Sequence, residues 1–130
     1  MAVAAKELLR IMAEQHASDL HLRVPASPMM RVDGELVPAE GQPRLAPADI
    51  EDLFIQCTTE EQRKRFYSDL ELDFAYSVPG LARFRVNVML QRGTMSIAFR
   101  RIPFSIPTIT EFGLPDVCKT LVMKPRGLVL

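Results

Sequence analysis

Between Ala82 and Pro103 the chain reads ARFRVNVMLQRGTMSIAFRRIP, with five arginines (Arg83, Arg85, Arg92, Arg100 and Arg101) and no acid. A guanidinium stays charged at any working pH and offers a planar fork of donors. A cluster of them is therefore chemistry for anions, phosphate above all. Phe84, Val86, Val88 and Leu90 alternate with Arg83, Arg85, Asn87, Met89 and Gln91, which predicts a strand with one apolar face. Met95, Ile97 and Phe99 alternate with Thr94, Ser96, Ala98 and Arg100, which predicts a second. With Arg92-Gly93 as a two-residue hairpin loop, Gln91 pairs with Thr94, Asn87 with Ala98 and Arg85 with Arg100. Like charges directly opposite destabilise a strand pair by up to about 1 kcal/mol. The two arginines therefore need an anion. Glu71 and Asp73 on the preceding strand, or Asp19 beside His21, are internal candidates. A bound phosphate is the external one, and both sources remain open.

The elements around this hairpin follow from period and punctuation. Residues 3 to 16 form the first helix candidate, with Leu8, Leu9, Met12 and Ala13 on its apolar side. SDLHLRV switches to period two, with Leu20 and Leu22 on one face and Asp19, His21 and Arg23 on the other. MMRVDGELVPA reads as two short strands about Asp33-Gly34. A helix runs from about Asp49 to Cys57 behind Pro47. Another follows Thr58 or Thr59, either of which can cap it. Its basic cluster, Arg63, Lys64 and Arg65, reads as a solvated face. LELDFAYSV is a strand with Leu70, Leu72, Phe74 and Tyr76 inward. A proline-punctuated connector after Pro103 carries a short helix from about Pro115 to Met123, and the apolar GLVL comes last. The order α-ββ(β)-αα-βββ is that of an α+β domain with a mainly antiparallel sheet packed against helices.

Bulk properties narrow the function. The 130 residues suffice for one compact core. The balance of 16 basic and 16 acidic residues argues against a nucleic-acid or anionic-membrane binder. Cys57 and Cys118 lie far apart without CxxC or histidine company, which fits two reduced thiols in a cytoplasmic protein. There is no apolar run of about 18 residues and no secretory leader. No GxxxxGK[ST] or GxGxxG loop and no metal-ligand spacing is present, so nothing supports catalysis by this chain alone. Ser18, Asp19 and His21 do not form a hydrolytic triad, because alternation puts Ser18 on the opposite strand face from the other two.

ASDLHL, MMRVDGEL, ARFRVN, QRG, FRRIP, GLP and the final RGLVL, in this order, resemble the N-terminal domain of the PilT-type ATPases. These are retraction motors of type IV pili, within the secretion-ATPase superfamily. QRGTMSIAFRRI with LVMKPRGL leans toward the PilU-like paralogue, and the choice stays open. The resemblance implies a PAS-like fold over residues 1–102 and a Pro-rich connector with a short helix over 103–124. It makes 125–130 the start of a RecA-like ATPase domain that this chain lacks. It further implies that Arg85 and Arg100 act as arginine fingers toward nucleotide phosphate. Arg83, Arg92 and Arg101 are secondary candidates for the same contact. Asp19, His21 and Arg23 are candidates for a domain interface. ATP and Mg would sit mainly on the ATPase domain. The implied partners are that domain, neighbouring subunits of a homohexamer and the pilus machinery, with the protein cytoplasmic and peripheral to the inner membrane. The rival reading from the residues is a stand-alone PAS-like module that binds an anion or a protein.

Overall fold

The computed structural model describes residues 4–130. Helix α1, Ala5–Glu14, is followed by strands β1, Asp19–Leu22, β2, Met29–Val32, and β3, Glu35–Pro38. Helices α2, Pro47–Cys57, and α3, Glu60–Asp69, lead to β4, Glu71–Val78, β5, Ala82–Gln91, and β6, Thr94–Ile102; a short α4, Val117–Leu121, comes last. The expected start of the first helix at residue 3 lies outside the described residues.

Local chemistry explains the boundaries. Pro47 occupies the first turn of α2, where its missing N–H is no loss, and the Asp49 carboxylate accepts from the Ala46 N–H at 2.7 Å. Thr59 caps α3: its Oγ1 accepts from the Gln62 N–H at 3.3 Å, and Gln62 Oε1 accepts from the Thr59 N–H at 2.9 Å. The basic cluster of α3 is spoken for by its own helix and cap. Lys64 meets Glu60 at 2.9 Å, Arg65 meets Asp69 at 3.6 Å, and Arg63 donates to the Thr58 carbonyl at 2.6 Å. The expected final helix shrinks to Val117–Leu121, since none of its residues is buried and Asp116 supplies no side-chain cap.

All six strands join one antiparallel sheet in the order β3-β2-β1-β6-β5-β4. This is the α+β class expected. One face carries Leu20, Leu22, Met30, Leu72, Phe84, Val86, Val88, Ile97 and Phe99, all buried. Helix residues Leu8, Leu9, Met12, Ile50, Leu53, Phe54 and Phe66 close over them. Phe84 and Phe99 meet edge to face, with centroids 6.4 Å apart. Two leucines expected in this core are not there. Leu70 is the left-handed C-cap of α3, with φ 60°, so the strand begins one residue later and Leu70 is half exposed. Leu90 lies near the hairpin tip and is exposed too. No described helix closes over the opposite sheet face, and the arginines of interest lie there.

Candidate functional site

The hairpin register is the one the sequence dictates: Gln91 opposite Thr94, Asn87 opposite Ala98, and Arg85 opposite Arg100. Arg92 and Gly93 make the turn with φ of 50° and 79°, the positive values a two-residue loop of this kind demands. Docking β1 against β6 puts Asp19 opposite Arg100, and pairing β1 with β2 puts Arg31 opposite Asp19. One row across the uncovered face therefore runs Arg85, Arg100, Asp19, Arg31. The next row runs Asp73, Asn87, Ala98, His21.

Each arginine of the central pair has a carboxylate of its own. Arg85 donates through Nε to Asp73 Oδ1 at 3.1 Å and through Nη2 to Asp73 Oδ2 at 3.4 Å. Arg100 donates through Nε to Asp19 Oδ1 at 2.9 Å. Asp19 also accepts from Ser18 Oγ at 2.8 Å and lies 3.7 Å from Arg31 Nε. Glu71, the third acid considered, accepts from the Asn87 amide instead. The fold thus fills both anion positions internally. The charge-balance argument for an outside phosphate falls with this observation. What remains for phosphate is exposure: the side chains of Arg85 and Arg100 are 68% and 71% accessible, and Arg100 spends only Nε on its partner.

The carboxylates respond to their partners. Burial pushes the Asp19 carboxyl up, but hydrogen bonds from Ser18 and Arg100 and the nearby positive charge outweigh it, leaving it below its ordinary value. The Asp73 carboxyl is lowered mainly by the Arg85 hydrogen bond.

The other candidates scatter. Arg83 shares the uncovered face, one row beyond Arg85 and opposite Ile102. Arg101 pairs with Phe84, so it points to the helix side, away from Arg85 and Arg100. Arg92 sits at the hairpin tip, beside Arg23 in a depression that Gln91, Thr94 and Ser96 also line. Asp19, an interface candidate, is buried and bonded to Ser18 and Arg100 within the fold. His21 stays on the uncovered face, and its Nε2 is a buried nitrogen without a hydrogen-bond partner. Ser18 does reach Asp19, contrary to the opposite-face expectation, because it precedes β1 and escapes the strand's alternation. His21 bonds to neither, so no triad forms. Arg31 is the residue that sequence reasoning passed over; its alternation in MMRV was the available signal.

Asp19, His21, Asp73, Arg85, Asn87, Ala98, Phe99 and Arg100 surround a shallow cleft of about 210 Å³. Among the described residues, no group of three or more His, Cys, Asp and Glu is placed to hold a metal ion. No described helix is long and apolar enough to cross a membrane.

Across 124 residues, 95% of its length, the chain is 44% identical to PilT of Pseudomonas aeruginosa, named a type IV pilus retraction ATPase, and covers 36% of it. A crystal structure of the pilus retraction motor PilT with bound ADP superimposes at a TM-score of 0.79 over 94% of this chain and 36% of that one, at 34% identity. The chain is homologous to the N-terminal domain of the PilT-type ATPases. PilU of the same organism is 37% identical over 96% of this chain and 32% of its own. The chain thus spans about a third of the length of these relatives. The ATPase DotB of Legionella pneumophila shares the fold, at 22% identity and a TM-score of 0.66. No family model matches the chain. The identities run higher to PilT than to PilU, against the lean that QRGTMSIAFRRI suggests.

Proposed function

We propose that this PilT-type domain serves in a hexameric pilus retraction ATPase, where it supplies Arg85 and Arg100 to the nucleotide site and moves relative to the ATPase domain as ATP is hydrolysed. Residues 103–124 would act as the hinge, and 125–130 would enter the first strand of the ATPase domain. ATP and Mg would sit mainly on that domain, at the cytoplasmic side of the pilus machinery. The observation that carries the reading is the match to PilT over nearly the whole chain, with the two arginines side by side on an uncovered face. Two exposed guanidiniums at a fixed spacing would add positive charge as the γ-phosphate transfers to water. Their withdrawal after release would let the domains part, a hinge-type closure.

The test is ATP turnover of the intact ATPase. Arg85→Ala and Arg100→Ala each lower it at least about tenfold, the scale of a lost phosphate-facing arginine, while gel filtration still shows hexamers. Unchanged turnover in both variants removes the nucleotide-facing role.

A further inference from the structure

The two carboxylates beneath the arginines are unequal. Asp19 has a side chain only 12% exposed and lies on β1, between β2 and β6. Three groups hold it: the Ser18 hydroxyl, Arg100 Nε and, more loosely, Arg31 Nε. Asp73 has a side chain 47% exposed and lies on the edge strand β4. It leans on Arg85 and on the Asn87 amide opposite.

The contacts differ in which edge of the guanidinium they use. Asp19 takes Nε of Arg100 and leaves its two terminal amino groups free. Asp73 takes Nε and Nη2 of Arg85 together. That edge is one a phosphate would grip with two parallel hydrogen bonds. An exposed pair of this kind is weak and screened, so a better acceptor can replace the carboxylate.

We infer that Asp73 is an exchangeable partner that fills the Nε–Nη2 edge of Arg85 until phosphate displaces it, whereas Asp19 is a fixed anchor that aims Arg100. This rests on the nucleotide-facing reading above. Arg100 is ready at all times, and Arg85 is gated. Asp73 is then a positioning residue that keeps the face electrically quiet when no nucleotide is present.

The experiment titrates the 130-residue chain with inorganic pyrophosphate at constant ionic strength, following the arginine Nε–H signals by NMR. Asp73→Asn tightens binding about three- to fivefold, the size an exposed ion pair can withhold, and removes the Arg85 Nε–H shift of the carboxylate-bound form. Glu71→Gln removes a charge from the same strand face without freeing an arginine, and it stays within about twofold of the parent. Asp19→Asn loosens binding rather than tightening it. If Asp73→Asn binds no tighter than Glu71→Gln while Arg100→Ala still weakens the parent, the exchange is wrong and the nucleotide-facing reading survives. If neither parent nor Asp73→Asn shows a saturable shift, the exchange is lost, and the nucleotide-facing reading is decided by the turnover of the Arg85 and Arg100 variants.

Discussion

Asp19 and Asp73 tie the stability of the domain to acid. Both carboxyls are lowered in the fold, so their contribution is fully present above the ordinary aspartate value of 3.8 and is lost as pH falls through the lowered folded values. Urea midpoints of the parent should fall as pH drops below about 3.8, and Asp19→Asn and Asp73→Asn should each flatten that limb. The thiols make a second residue-scale prediction. Burial pushes the Cys57 thiol up to about 12, while Cys118 is only half covered. An alkylating reagent near neutral pH should modify Cys118 quickly in the folded chain and reach Cys57 only in denaturant. Two rapid modifications without denaturant would contradict the packing of α2. At this scale the sequence revealed the facing arginines, because a two-residue turn leaves one register. It named Asp19 and Asp73 as possible counterions but could not choose. The Asp19–Arg100 bond spans 81 residues and depends on β1 docking against β6, which no local pattern encodes.

Among the elements, the hairpin and the helix caps carry local information that the sequence states openly. Asp33-Gly34 and Arg92-Gly93 turn the chain where expected, both with positive φ. Arg92 is the unusual member, since a long side chain in the left-handed region is strained by about 1 kcal/mol and asparagine tolerates it better. Arg92→Asn should therefore raise stability by roughly half a kcal/mol in chemical denaturation. Thr59→Ala removes the α3 cap and should lower stability by about 1 kcal/mol in the same assay. Alternation misled at Leu70, which the left-handed cap of α3 takes out of the strand, and at Leu90, because period two says which face a residue takes but not where the covering helices stop. Carried two residues past Phe99, the same alternation puts Arg101 on the helix side, where it pairs with Phe84.

For the molecule as a whole, every buried core residue among those described lies between Ala5 and Phe99. Beyond β6 the chain leaves Phe104, Ile106, Phe112, Val122 and Met123 more than half exposed. Removing residues 104–130 should leave the melting temperature of the rest nearly unchanged, as circular dichroism would report. Phe84→Ala, by contrast, should cost about 3–5 kcal/mol, since Phe84 is fully buried against Phe99. The layering was legible from alternation and helix period together; the order of strands was not, because the sheet joins its two halves through β1 and β6. That join has a mechanical consequence. Arg85 and Arg100 sit on β5 and β6, each flanked on both sides, so neighbouring ladders clamp their backbones. The gap between their Cα atoms is set by strand geometry at roughly 4.5–5.5 Å. The pair behaves as a caliper with welded jaws: it can be carried toward an object or away from it, but it cannot be reset to fit a larger one.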